Sequence, residues 1–235
     1  MTLKASLAPL LGAALLFGLG CDDAPKEEVP QGLITYNVSF PFNQNDLLQY
    51  IYPEEMEVAF RGDQVTGLLE AMGGIVSNQF IVNNRQKVFD QYLKTNKGKY
   101  HVTLDSLGIW QMLDDTPAVE LFPTDSTTTI AGYSCKLTMA DFIIDSVPPI
   151  ELWHTADIPI HDPNWCNQYH ALDEFLLGYD IEHFGLRMRV RAKEVKLGPV
   201  DASRFALPEA FEDVDYPGIR DLIGELLEVL QDTND

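Results

Sequence analysis

Nothing constrains the fold of this chain more than "LRMRVRAK", Leu186 to Lys193. Leu186, Met188, Val190 and Ala192 alternate with Arg187, Arg189, Arg191 and Lys193. A period of two puts the apolar set on one face and the cations on the other, the pattern of a strand with one buried side. The alternation recurs upstream. "ITYNVSF" aligns Ile34, Tyr36, Val38 and Phe40, and "MEVAFRG" aligns Met56, Val58 and Phe60 before a Gly62-Asp63 turn. "GIVSNQFIVNN" closes on Asn83-Asn84, a natural turn pair. "KVFDQYL" and "KYHVTLD" flank the hairpin-like "KTNKGK", and "YSCKLTMADF" and "PIELWHTADI" supply later strands. Strands joined by turns, with no helices alternating between them, predict an antiparallel sheet.

The pattern changes period near the end of the chain. Pro217 suits a first helical turn, and Ile219, Leu222, Ile223, Leu226, Leu227 and Leu230 follow at helical spacing. Asp221, Glu225 and Glu228 fall largely on the other side, so an amphipathic helix is predicted over 217–231. Gly224 in its middle costs about 1 kcal/mol against alanine, so packing must hold the helix. A shorter helical piece is expected around "CNQYHALDEFL".

The other end reads as an address. Lys4, an apolar stretch from Leu7 to Leu19 and small residues at its exit have the layout of a secretory signal over 1–20. The stretch is short for a spanning helix and is weakened by Pro9. Leu19-Gly20-Cys21, preceded by Gly18, resembles the lipobox of bacterial lipoproteins, in which the cysteine is acylated and becomes the new amino terminus. That resemblance implies a lipid anchor at Cys21, since acyl chains bury about 0.8 kcal/mol per methylene. The polar, proline-bearing residues up to 32 read as a tether, leaving one β-rich domain over 33–235.

Composition narrows the partners. A hydrophobic fraction of 46% is that of a globular chain, while a formal net charge of −20 repels phosphate backbones and excludes nucleic acid as a natural ligand. With Cys21 lipidated, Cys135 and Cys166 form an even pair in an oxidising compartment. A bridge between them would be worth about 3 kcal/mol; two buried thiols packing as small apolar groups are the alternative.

Catalytic signatures are missing from the sequence. It contains no G-x-S-x-G, no H-E-x-x-H, no P-loop and no Rossmann glycine pattern. "WHTADIPIHDPNWCNQYHALDE" gathers His154, Asp157, His161, Asp162, Cys166, His170, Asp173 and Glu174, residue types that suit zinc. Their spacings match neither a helical face nor a metal knuckle, so a polar loop is the plainer account and no metal or cofactor is expected. "EDVDYPG" lacks most of the ligands of a calcium loop. Arg187, Arg189 and Arg191 read as a solvent face paired with acids across the sheet, with an anion-binding stripe as the alternative.

Two segments carry a further resemblance. "TIAGYSCKLTMADF" and "IELWHTADIPI" are similar to the I-x-G-Y-x-C and W-x-T-x-[DE]-I-P strands of GLPGLI-type envelope proteins of the Bacteroidetes group and a related domain-of-unknown-function family. "KEVKLGPVDASRFALPEAFEDV" resembles their closing pattern, through Asp201, Ser203, Phe205 and Pro208. The chain departs from the name-giving motif at Tyr179, which follows Gly178 where the family has Leu-Pro. The resemblance implies a LolA-like fold: a strongly curved antiparallel sheet, or half-barrel, wrapped around helices. The expected class is then mainly β (α+β) with a C-terminal amphipathic helix. No catalytic residues come with it. The acids after Cys21 resemble the surface-export signal of Bacteroidetes-type lipoproteins, which points to the outer membrane.

A concave apolar face can shelter a lipid or other apolar ligand, so a non-enzymatic, membrane-anchored lipoprotein is the first expectation. Phe40, Phe60, Phe80, Trp110, Phe142 and Trp153 are its candidate lining, with plain core packing as the alternative. The second expectation is an interaction subunit with an envelope protein as partner; a hydrolase has the weakest warrant.

Overall fold

The computed structural model describes residues 29–41, 52–143, 148–183 and 186–232. The secretory signal, Cys21 and the tether up to residue 28 thus lie outside the described residues. The chain forms β1 (Gln31–Ser39), β2 (Glu55–Arg61), β3 (Gln64–Ala71), β4 (Val76–Asn83), β5 (Val88–Lys94) and β6 (Lys99–Leu104). Helix α1 (Ser106–Asp114) leads to β7 (Val119–Ile130), β8 (Tyr133–Phe142), β9 (Ile150–Thr155), β10 (Phe175–His183) and β11 (Leu186–Leu197). The short β12 (Glu212–Asp213) precedes helix α2 (Tyr216–Asp232). β1 therefore begins inside the segment read as tether.

Among the described residues the strands form one sheet, in the order β12-β6-β5-β4-β3-β2-β1-β11-β10-β9-β8-β7. All neighbours are antiparallel except β12, which pairs parallel with β6 through Glu212 and Asp213. Two meanders, β1–β6 and β7–β11, are thus sewn together where β1 pairs with β11.

This topology requires curvature. β6 and β7 lie ten strand spacings apart in the sheet order, roughly 48 Å if the sheet were flat. The chain crosses from one to the other in residues 105–118, nine of which are helical. A helix of that length rises about 14 Å, and the remaining residues add at most about 17 Å. The sheet must curl until its far strands approach each other across α1.

Main-core residues come from almost every element. Tyr36, Phe60, Leu93, Val102, Leu177 and Val190 pack with Ile109 of α1 and Ile219 of α2. Tyr36 donates its hydroxyl to the Leu176 carbonyl at 2.9 Å and meets the Tyr179 ring edge-on at 6.2 Å, which locks β1 to β10. At one position the sheet makes room by omission. Gly67 faces Phe80 across β3–β4, and a β-carbon there would lie 2.2 Å from the Phe80 ring. A smaller second core, with Phe142, Ile150, Leu152 and Tyr169, fills the β7–β10 end.

The helix expected over 217–231 is α2. Its first turn is held by Asp215, which accepts from the Gly218 amide at 2.9 Å, and by Asp115, which accepts from Tyr216 and Arg220. The helical piece expected around Cys166 is a run of turns ending at β10. There, the Asn164 side chain donates to the Leu172 and Glu174 carbonyls at 2.6 and 3.0 Å, satisfying backbone that a helix would otherwise pair.

Candidate functional site

Curling leaves a space that α2 only partly fills. Ile223, Leu226 and Leu227 of α2 face Leu69 and Ala71 of β3, Val76 and Asn78 of β4, and Leu93 of β5. Ile181 of β10, Met188 of β11, Phe40, Tyr52, Pro53 and Met72 complete the lining. The half-open space has a volume of about 260 Å³. Phe40 and Tyr52 stack at 4.2 Å and separate this cavity from an adjoining hollow of about 320 Å³ that reaches Ser39 and Glu54. Small-molecule sites span about 300–1,000 Å³; the cavity falls just short of that range alone and enters it with its neighbour. Asn78 is the polar group of the wall, and its Oδ1 already accepts from Gln91 at 3.0 Å. Such a lining can bind by burying apolar surface.

Of the six aromatics expected to line a site, Phe40 does. Phe60 is fully buried in the main core, Phe80 lies across Gly67 and packs against Phe89, and Phe142 belongs to the second core. Trp153 packs against the main core and donates its indole N–H to Glu151. Trp110 is the clearest correction. It sits on α1, 57% exposed, with its ring edge against His170. Period-two reading had no means of placing a residue that belongs to an unanticipated helix. The missed lining residues Met188, Leu226 and Leu227 were visible as apolar positions but not as neighbours.

The expected Cys135–Cys166 bridge is not formed; both cysteines are free. Cys135 is a buried core residue of β8, and its thiol bonds the Tyr133 carbonyl. Cys166 packs against the same core from the β9–β10 connection, and burial pushes its thiol up to about 12. Each fills space as a small apolar group, and neither is an activated nucleophile.

The histidine-bearing loop disperses its side chains. Among the described residues no three of His, Cys, Asp or Glu group as a metal site. Asp162 pairs with Lys87, whose ammonium also lies 5.0 Å from the Trp165 ring centre. Trp165 donates to buried Asn84 at 3.0 Å. His154 bridges Thr138 Oγ1 at 2.9 Å and Glu174 Oε2 at 2.7 Å, a hydroxyl–imidazole–carboxylate chain. Thr138 and His154 are only 3% and 5% exposed, so no substrate reaches them and the chain acts as a structural tie. Partial burial pushes the Glu174 carboxyl up, but hydrogen bonds from Lys136 and His154 outweigh it and hold the group below its usual range.

The arginines pair with an acid across the sheet, as expected, but on a face less open to solvent than a plain outer ladder. Arg187, Arg189 and Arg191 converge on one carboxylate, Asp180, which is 1% exposed. Tyr169 closes the same region by donating to the Asp180 carbonyl.

No family model matches the sequence, and no curated protein matches it. Among solved structures, PNGF-II in two crystal forms is similar. The C2 form gives a TM-score of 0.53 at 20% identity over 83% of this chain and 32% of that one. The P21 form gives 0.54 at 19% identity, again over 83% of this chain and 33% of that one. The chain thus spans about a third of PNGF-II, and the likeness shows a shared fold alone. The Pseudomonas aeruginosa MucA/MucB complex gives a TM-score of 0.33 at 8% identity, over 76% of this chain and 56% of that chain, too low to support any inference. The fold defines one large, open, curved antiparallel sheet with a C-terminal helix.

Proposed function

We propose that this chain is a membrane-anchored envelope lipoprotein whose curved sheet, a LolA-like half-barrel, holds a lipid or other apolar ligand beneath α2. The observation carrying this reading is the cavity walled by Ile223, Leu226, Leu227, Leu69, Ile181 and Met188, apolar on both sheet and helix. It is non-enzymatic, in keeping with a wall that is apolar apart from Asn78 and Tyr52. Anchoring rests on the Cys21 lipobox, and the acidic residues after it favour the outer membrane.

Native mass spectrometry of a Cys21→Ser form tests ligand binding free of covalent lipid. The expected result is a non-covalent lipid mass that denaturation removes. Leu226→Trp, which places an indole in the cavity, should abolish that mass while leaving the unfolding midpoint unchanged. A clean apo mass with no uptake of a fluorescent fatty acid would sink the ligand reading. Anchoring is separately testable: wild type should partition with membranes, and Cys21→Ser should not.

A second reading has its own observation. α1 turns Leu107 and Trp110 to solvent, an apolar pair of the kind that interfaces bury. An interaction subunit without a small ligand is what the clean apo mass would leave standing.

A further inference from the structure

The cavity and the tether lie at opposite ends of the strands. β1 starts at Gln31, just after Val29, and this end is pinned: Gly62 donates its amide to the Pro30 carbonyl at 2.7 Å and Gly198 donates to the Gln31 carbonyl at 3.0 Å. From there β1 runs to Ser39. The register carries that far end across the sheet. Ser39 stands opposite Arg189, Asn37 opposite Glu55, Ile181 opposite Met188, Ala71 opposite Val76 and Asn78 opposite Leu93. Phe40, Ala71, Val76, Leu93, Ile181 and Met188, which line the cavity, therefore all sit at the far end.

The opening at that end is apolar and strained. Met72, Gly73 and Gly74, in the β3–β4 turn, have φ of 53°, 64° and 82°, the left-handed region that a methionine rarely adopts. Met72 lines the cavity yet is 39% exposed, and Ile75 in the same turn is 52% exposed. Lys94 holds the turn by donating to the Gly74 carbonyl at 2.8 Å. Backbone strain persists where the surrounding structure over-determines it, and here it leaves two apolar side chains open to solvent at the mouth. The adjoining hollow, with Ser39 and Glu54, lies at the same end.

Chain length decides which way this mouth can face. With lipid fixed at Cys21, the eight residues from there to Val29 span at most about 28 Å when fully stretched. β1 alone, at nine residues, is roughly 30 Å long. Setting the mouth on the anchoring bilayer would lift Val29 by about that height, at or past the reach of the tether. With any slack, the mouth faces sideways or away. The space also bounds the guest. About 260 Å³ holds roughly nine groups of water or methylene size, at about 30 Å³ each, which is one alkyl chain and not two. Single-chain amphiphiles dissolve as monomers, so they need no bilayer at the mouth.

We infer that the cavity mouth at Met72 and Ile75 faces away from the anchoring membrane and takes single-chain amphiphiles from the aqueous side. It does not draw two-chain lipids from the bilayer that holds the domain. The inference rests on the proposed anchor and cavity, and adds to them the class of ligand and its route.

Two measurements on the lipidated full chain in phosphatidylcholine vesicles test it. Energy transfer to an acceptor-labelled lipid compares a fluorophore on Ile75→Cys with one on Arg85→Cys, in the turns at either end of β4, and wild type sets the background from Cys135 and Cys166. The eight residues of β4 hold the two labels roughly 26 Å apart, so the Arg85→Cys label should be quenched about twofold more or better. Equal quenching, or more at Ile75→Cys, overturns the inference. The second measurement reads uptake. A fluorescent fatty acid supplied in water should saturate at one per chain, above the level given by Leu226→Trp. A fluorescent phospholipid placed in the host vesicle should give no more signal than Leu226→Trp does. Extraction of that phospholipid overturns the inference while anchor and cavity stand. Refusal of the fatty acid by both the anchored chain and soluble Cys21→Ser removes the cavity, and wild type left in solution removes the anchor; the inference falls with either.

Discussion

The two ends of the sheet are closed by different chemistry. Over β1–β6 the cover is α2, which meets the sheet through Ile219, Leu222 and Ile223 and leaves a cavity toward its C-terminal half. Over β7–β10 the cover is the β9–β10 connection, fastened by side-chain polar groups: Tyr169 on the Asp180 carbonyl and Glu174 on His154, while its Trp165 reaches Asn84 in the β4–β5 turn. Apolar contact is non-directional, so a helix held that way can shift to admit a guest. Hydrogen bonds fix distances and angles, so the loop side holds one arrangement.

The sharpest way to break the polar end is Asp180→Ala. It removes the carboxylate that Arg187, 6% exposed, shares with Arg189 and Arg191, and the expected loss is about 3–5 kcal/mol in urea unfolding. A loss below about 1 kcal/mol would mean that the arginines do not depend on Asp180. At the helical end, Ile219→Ala should cost about 2–4 kcal/mol, since that side chain is 1% exposed in the core. Leu226→Ala on the cavity wall should cost less than half as much, because part of its surface already faces empty space. Equal costs would mean that α2 is packed uniformly and has no give at the cavity.

The same contrast governs what could be read from the sequence. Strands such as Ile34–Tyr36–Val38 and Met188–Val190–Ala192 announce themselves because each buries one face, and α2 because its leucines keep helical spacing. β7 escaped because most of its residues are exposed, so past Pro123 "TDSTTTI" carries no apolar alternation. α1 escaped because "SLGIWQMLD" turns Leu107 and Trp110 outward, which blurs its period. For the candidate site, the lining residues were legible as apolar positions and their meeting was not, because the cavity depends on how far the sheet curls. The arginine alternation identified β11 correctly, yet no pattern in β11 alone names Asp180, on the preceding strand β10, as the acid that gathers its cations.

A smaller perturbation tests the close packing of the sheet itself. Gly67→Ala drives a methyl group into the Phe80 ring and should cost about 1–3 kcal/mol by overpacking. Phe80→Leu in the same chain should recover part of that loss, since the two residues face each other across β3–β4. Strict additivity of the two changes would show that the ring does not lie where the close approach to Gly67 places it.

The smallest expected effect separates the ends by pH. Lys136 on β8 and His154 on β9 hold the Glu174 carboxyl below its usual range, despite the opposing effect of burial. A depressed folded-state value means that the ionised group stabilises the fold in full above its unfolded value of about 4.3. That contribution is lost as the pH falls through the folded value. Glu174→Gln should therefore lower the unfolding free energy at pH 7 by under about 1 kcal/mol and converge on wild type in acid, so its stability falls less steeply below about pH 4.5. Leu226→Ala, on the apolar side, should keep a constant offset from wild type across the same range. Parallel acid limbs for Glu174→Gln and wild type would remove Glu174 from the polar fastening and leave Tyr169 on the Asp180 carbonyl to carry it.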